Sequence, residues 1–209
     1  MNEQEAKPKH FSMIRGFHLA DLFTLANASC GMASVFASMT YLGSPTVGLF
    51  TLAVALVPVA LVFDALDGRV ARWRHAHSTL GRELDSLADV ISFGVAPAAL
   101  AFAAGMRGGW DWVVLITFVG CGVSRLARYN VTAEALSAGD DKVKYFEGTP
   151  IPSSIAPVLV LAVAVWTDRL GAGLYFGAVE VGLVLHPMVL MFALSGSLMI
   201  SKTLRIPKL

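Results

Sequence analysis

Charge is scarce in this chain: only 15% of its 209 residues are Asp, Glu, Lys or Arg, against about 25% in an average soluble domain. Hydrophobic residues make up 56% of it and the mean hydropathy is +0.65, which excludes an ordinary soluble fold and points to one membrane-embedded domain. Cysteine is nearly absent. Cys30 and Cys121 both fall inside apolar runs, so a disulfide framework is excluded, and with no His or Cys cluster near them a zinc site is too. There is no internal repeat. A cleavable leader is not expected either. Lys7, Lys9 and Arg15 precede the first apolar run and Ser29-Cys30 resembles a lipoprotein cleavage site, but Asn27 stands where an aliphatic residue is wanted. That run also continues to Leu42, long enough to span a bilayer.

What is abundant is apolar runs of bilayer length. They predict an all-α integral membrane protein with six transmembrane helices near 22–42, 46–66, 86–105, 110–129, 151–167 and 179–199, each close to the roughly 20 residues a hydrocarbon core requires. Residues 1–9 read as a disordered N-terminus, and 10–209 as the transmembrane domain. Phe11, Ile14 and Phe17 alternate with His10, Arg15 and His18, a pattern for a short interfacial amphipathic helix or a frayed lead-in. Cys30, Ser34 and Ser38, with Ala33 and Ala37 beside them, form a small-residue stripe that lets helix backbones approach. Pro58, Pro97 and Pro187 lie within spans and are expected to kink them. Trp110 and Trp112 fit an interfacial anchor. Six spans put both termini on one side with fourteen basic residues: Lys7, Lys9, Arg15, Arg69, Arg72, Arg74, Arg82, Arg125, Arg128, Lys142, Lys144, Lys202, Arg205 and Lys208. Only Arg107 and Arg169 remain for the other side, so the first side is expected to be cytoplasmic, in the cell (inner) membrane.

Against that background residues 64–89, DALDGRVARWRHAHSTLGRELDSLAD, stand out. Asp64 and Asp67 are three apart, Asp85 and Asp89 four apart, so each pair shares one helix face. Charges at the edge of a hydrocarbon-length segment are a functional-site hypothesis by default. Two such helix ends facing each other bring together four like charges that cannot all stay ionised without a cation. An all-oxygen set favours Mg²⁺, Mn²⁺ or Ca²⁺, and His75 and His77, in the loop between, are expected to be solvated. Two ions bridged by aspartates make a clamp for a phosphoryl or pyrophosphate group. Gly68, Ala71 and Gly81 permit close approach of a ligand to the backbone, and Arg72 offers a planar fork to phosphate oxygens. The competing reading pairs the aspartates with Arg69, Arg72, Arg74 and Arg82 as juxtamembrane salt bridges.

The arrangement Asp64-x-x-Asp67-Gly68-x-x-Ala71-Arg72, eight residues, Gly81-x-x-x-Asp85-x-x-x-Asp89 resembles the signature of the CDP-alcohol phosphotransferase family at every defined position. The resemblance implies a membrane-embedded, typically six-helix homodimer that displaces CMP from a CDP-linked lipid with an alcohol, using two divalent ions, Mg²⁺ or Mn²⁺. Carried onto this chain, it makes Asp64, Asp67 and Asp85 metal ligands, Asp89 a ligand and the general base, and Gly68, Ala71, Arg72 and Gly81 the lining of the CDP site. Spacing alone does not separate the role of Asp89 from that of Asp85.

The acceptor is left open by that signature. The stretches DLFTLANASCG (21–31), SLADVISFGVAPA (86–98), SRLARYN (124–130), YFEGTPIPSS (145–154) and LMISKTLRIP (198–207) look like the family's phosphatidylserine synthase branch. This implies CDP-diacylglycerol and L-serine as substrates, with phosphatidylserine and CMP as products. Ala20-Asp21 departs from the Pro-Asn that members often carry, leaving Thr24 and Asn27 in place as acceptor-binding candidates. A serine site needs a cation for the carboxylate, and Arg125 or Arg128, next to Asn130, is expected to supply it. The alternative for either arginine is a snorkelling anchor. Tyr145, Glu147 and the Gly148-Thr149-Pro150 turn are expected at the same mouth, with Glu147 facing the ammonium. Alternatives are the same chemistry with glycerol 3-phosphate, inositol phosphate or choline, an archaeal ether-lipid donor, and, as a non-enzyme, a cation transporter. A phosphorylated acceptor wants a denser basic cluster and choline an aromatic cage. The transporter reading suffers because all four aspartates cluster at one membrane face. No nucleic-acid partner is expected.

Overall fold

Runs of Leu, Val, Ala and Phe dictate helices, and the computed structural model, which describes residues 19–73, 79–137, 145–203 and 205–207, is mostly helical. Helix α1 (Leu19–Gly43) turns back through three residues into α2 (Val47–Trp73), where the Thr46 hydroxyl caps the new helix by accepting the Leu49 N–H at 3.3 Å. Helix α3 (Thr79–Asp89) runs through a π-helical segment (Val90–Val95) into α4 (Ala96–Ala104). Helix α5 is Gly109–Ser137. A 3₁₀ turn (Ile151–Ser154) opens α6 (Ile155–Trp166), and another (Pro187–Val189) opens α7 (Leu190–Ile200). Among the described residues there are also four short strands: β1 (Tyr145–Glu147), β2 (Val179–Val181), β3 (Leu183–Leu185) and β4 (Arg205–Pro207). They form two antiparallel pairs, β1 with β4 and β2 with β3.

Among the described residues, four stretches are long and apolar enough to cross a membrane: Leu19–Gly43, Val47–Val70, Leu80–Ala104 and Gly109–Thr132; Ile151–Trp166 and Pro187–Ile200 are shorter apolar helices. Large apolar side chains populate the outside as well as the core. Phe36, Met39, Val62, Ile116 and Leu194 are each more than half exposed, as a lipid-facing surface requires and a water-facing one penalises. Inside, Phe118 meets Phe192 edge-on at 5.3 Å between α5 and α7, and Tyr41 meets Phe50 at 5.0 Å between α1 and α2. The small-residue stripe of α1 does what such stripes do: Ser34, Ala37 and Ser38 are buried, and the Ser34 hydroxyl donates to the Ala53 carbonyl of α2 at 2.7 Å.

The prolines act differently from one another. Pro58 sits within an unbroken α2. Pro97 has no N–H for the carbonyl four residues earlier, and the helix before it widens: Ala96 N–H donates to the Ile91 carbonyl, five residues back. Such π turns occur often at functional sites, and this one begins directly after Asp89. The last span departs from its predicted 179–199. Residues 179–185 are a hairpin, with Gly182 at φ 72° between the two strands. An apolar run is ambiguous between helix and strand on hydropathy alone, and β-branched Val179, Val181 and Val184 around a left-handed glycine decide for strand. The predicted disordered residues 1–9, most of the interfacial helix near 10–20, and Arg74, His75 and His77 lie outside the described residues.

The hairpin is latched to the start of α5. Trp110 Nε1 donates to the Val181 carbonyl at 2.9 Å. Asp111, fully buried, accepts the Gly108 N–H at 2.8 Å, the His186 N–H at 2.8 Å and a 2.6 Å contact from His186 Nδ1. Its removal would orphan buried donors, each costing about 1–3 kcal/mol. Asp111→Ala is therefore expected to lower the thermal unfolding midpoint in detergent while leaving turnover of the surviving folded enzyme unchanged. This latch is at the end of the bundle opposite the aspartates, so loss of kcat in folded protein would contradict a purely structural role.

Candidate active site

Two helix ends build the site. The last turns of α2 carry Asp64 and Asp67, α3 carries Asp85 and Asp89, and the spacing of each pair turns both members toward the other helix. Carboxylate oxygens of Asp64, Asp67 and Asp85 all lie within 4.8 Å of one another. Asp67 and Asp89 are buried and the other two half-buried. Asp89 completes the group within electrostatic reach of Asp64 and Asp85.

The donor set and its surroundings fit a hard divalent cation. Oδ1 of Asp85 is buried and receives no hydrogen bond, an arrangement that is costly unless a cation occupies the space before it. Of the salt-bridge alternative, Arg74 lies outside the described residues, and among those described no ion pair links these aspartates to Arg69, Arg72 or Arg82; Arg82 instead reaches Glu83 at 3.9 Å. Carboxylates alone, at this separation and in this burial, are what an oxygen-binding ion takes.

Around the carboxylates the other sequence-predicted residues divide. At Gly68 a Cβ would sit in ordinary contact, 3.6 Å from the Arg72 guanidinium Nη1, so Arg72 lies beside that bare stretch of backbone. Ala71 lies on the same stretch of α2 and Gly81, half-buried, on the first turn of α3. Arg125, half-buried on α5, is within electrostatic reach of Asp89, its guanidinium 5.8 Å from the Tyr129 ring centre. Arg128 is exposed. Asn130 is engaged elsewhere. Its Nδ2 donates to Glu83 Oε2 at 3.3 Å and Ser86 Oγ at 3.0 Å, and its Oδ1 accepts from Ser86 at 3.2 Å. It ties α5 to α3 beside Asp85.

Thr24 and Asn27 of α1, expected at the acceptor, instead touch the carboxylates. Thr24 Oγ1 donates to Asp67 Oδ2 at 2.8 Å, and Asn27 Nδ2 to Asp89 Oδ1 at 3.3 Å. Ser92, not singled out from the sequence, donates to the Asn27 carbonyl at 2.9 Å; only its place three residues after Asp89 could have drawn attention to it. The segment 145–150 is held from behind: β1 pairs with β4 of the C-terminal tail, the Thr149 N–H reaches the Leu198 carbonyl at 3.1 Å, and any side chain at Gly148 (φ 72°) would strike the Met199 carbonyl.

With this geometry in hand, comparison with known proteins is direct. The family model described as CDP-alcohol phosphatidyltransferase matches residues 17–195, which include all four aspartates. A protein of Saccharomyces cerevisiae named CDP-diacylglycerol--serine O-phosphatidyltransferase is 43% identical over 95% of this chain and 74% of its own length. A Helicobacter pylori protein of the same name is 41% identical over 68% of this chain and 56% of its own. The archaetidylserine synthase of Methanothermobacter thermautotrophicus is 36% identical over 78% of this chain and 65% of its own. The match thus spans less than two thirds of the latter two relatives.

Proposed function

The chain belongs to the CDP-alcohol phosphatidyltransferase family, and from that premise we propose that it transfers the phosphatidyl group of CDP-diacylglycerol to the hydroxyl of L-serine, giving phosphatidylserine and CMP. The observation that carries the chemistry is the convergence of Asp64, Asp67 and Asp85 around a buried, unpartnered oxygen, with Asp89 beside them. The choice of serine is supported by the names of the relatives and by Arg125, a cation half-buried near Asp89.

In this reading Asp64, Asp67, Asp85 and Asp89 would hold two divalent ions, Mg²⁺ or Mn²⁺. Ions held there would supply the positive charge that offsets the pyrophosphate and the departing CMP. Arg72 grips phosphate oxygens beside Gly68, with Ala71 and Gly81 lining the nucleotide's path. Arg125 receives the serine carboxylate. Asp89 takes the serine hydroxyl proton as that oxygen attacks the β-phosphorus; the bond from that phosphorus to the CMP oxygen breaks and CMP leaves. Arg128 keeps its alternative role as a headgroup anchor. Residues 10–209 act as one domain with six membrane crossings, the two shorter apolar helices providing the fifth and sixth. The active site and both termini face the cytoplasm from the cell membrane, and the protein works as a homodimer. The archaeal relative favours one second reading, an ether-lipid CDP donor with the same acceptor.

The test is CMP release by purified protein with Mg²⁺ or Mn²⁺, each donor in turn, and serine, glycerol 3-phosphate, inositol phosphate or choline as acceptor. Serine is expected to be the sole efficient acceptor, with the diacyl donor preferred. Serine producing no more CMP than water would discard the serine assignment, and a preferred ether-linked donor would replace the diacyl one.

A further inference from the structure

Helix α1 supplies none of the four carboxylates, though its buried Asp21 lies within electrostatic reach of Asp67, and it touches two of the four. Thr24 and Asn27 are three residues apart, hence on one helix face, and both are buried. Thr24 Oγ1 is shared between the Ala20 carbonyl at 3.2 Å and the nearer Asp67 Oδ2 at 2.8 Å. Asn27 Nδ2 lies 3.3 Å from Asp89 Oδ1. One carboxylate from each helix is thereby held by one oxygen, while among the described residues no side chain donates to Asp64 or Asp85.

The depth of α1 is set by the segment it serves. Ser92 Oγ donates to the Asn27 carbonyl at 2.9 Å, and at Gly31, one turn further along α1, a Cβ would fall 2.7 Å from Ser92 Cα and 2.9 Å from Ser92 N. Only glycine permits that approach. The π segment that follows Asp89 therefore fixes Asn27, and Asn27 fixes Asp89: a closed loop of contacts between residues 27, 89 and 92. Long side chains would lose such definition through rotamer freedom. Thr and Asn have little to lose.

We propose that Thr24 and Asn27 are positioning residues rather than acceptor ligands: each fixes one oxygen of Asp67 or Asp89 so that the other faces the ions and the reacting hydroxyl. The proposal rests on Asp67 and Asp89 serving as assigned above. Outer-shell donors to ligating groups set ligand orientation, and their loss is felt in metal affinity and turnover. An acceptor ligand would be felt in the KM for serine.

The experiment uses full-length protein in detergent, with Mn²⁺ binding followed by electron paramagnetic resonance without substrates, and CMP release measured in parallel. Thr24→Ala and Asn27→Ala are each expected to weaken Mn²⁺ binding and lower kcat by roughly 10–100-fold, with the serine KM within about two-fold of wild type. Thr24→Ser, which keeps the hydroxyl, is expected to recover both, and Ser92→Ala to shift them in the same direction as Asn27→Ala. Thr24→Ser also guards against misfolding, since its failure to recover Mn²⁺ binding would reduce Thr24 to a packing residue and overturn the proposal. A serine KM raised about tenfold or more in Asn27→Ala, with Mn²⁺ binding and kcat intact, would overturn it as well. Wild-type protein that ignores serine, paired with lost Mn²⁺ affinity in Asn27→Ala, would sink the serine assignment and uphold the positioning role.

Discussion

Asp89→Asn is expected to stop turnover while CDP-diacylglycerol still binds. The substitution preserves volume, and the new carboxamide oxygen can still accept from Asn27, which now lies 3.3 Å from Asp89 Oδ1. The fold around the buried position is therefore retained. What is lost is a group able to take a proton from the acceptor hydroxyl. General-base contributions are typically about 10²–10⁴-fold, and weakened ion binding adds to that. The measurement is single-turnover CMP release alongside equilibrium binding of the CDP-lipid. Near-wild-type turnover in Asp89→Asn would remove the general-base role and shift attention to Asp85, its neighbour one helical turn away.

Stripping divalent ions is expected to have an equally large effect, fully reversed by Mg²⁺ or Mn²⁺. Asp64, Asp67 and Asp85 present oxygens within 4.8 Å of one another with no arginine paired to them among the described residues. Arg72 alone is assigned to the phosphates, and one cation does not offset a pyrophosphate held against four carboxylates, so the ions must supply the balance. Losing charge stabilisation of several kcal/mol lowers the rate by about 10³-fold. Two readouts separate this from general damage. Chelation should lower the unfolding midpoint, because a ligand that binds only the folded state stabilises it, and in Asp85→Asn that shift should shrink. Undiminished CMP release in excess chelator would end the metal-dependent mechanism for this chain.

How much of this was legible in advance depended on how local each feature is. Asp64, Asp67, Gly68 and Arg72 lie within nine residues on one helix, and Asp85 and Asp89 within five on another. At that range, spacing is geometry. The apolar runs were equally readable as membrane-length helices, up to the point where hydropathy stops separating helix from strand. The hairpin at 179–185 turns on Gly182, whose positive φ no hydropathy average registers. Arg125 and Arg128 looked equivalent in sequence; helix α5 half-buries the first toward Asp89 and exposes the second. Asn130 looked available for an acceptor, but Glu83 and Ser86 occupy it.

The carboxylate stretch, then, was determined by the sequence alone: its pairing, its capacity to gather oxygens about a metal ion and its position at a membrane-length helix end follow from spacing within single helices. Only the tertiary structure decided what supports it. Thr24 reaches Asp67 across 43 residues and Asn27 reaches Asp89 across 62, while Ser92 and Gly31 meet where α1 presses on the π segment. Contacts at such separations depend on how whole helices pack, and a one-dimensional pattern holds no record of which faces meet.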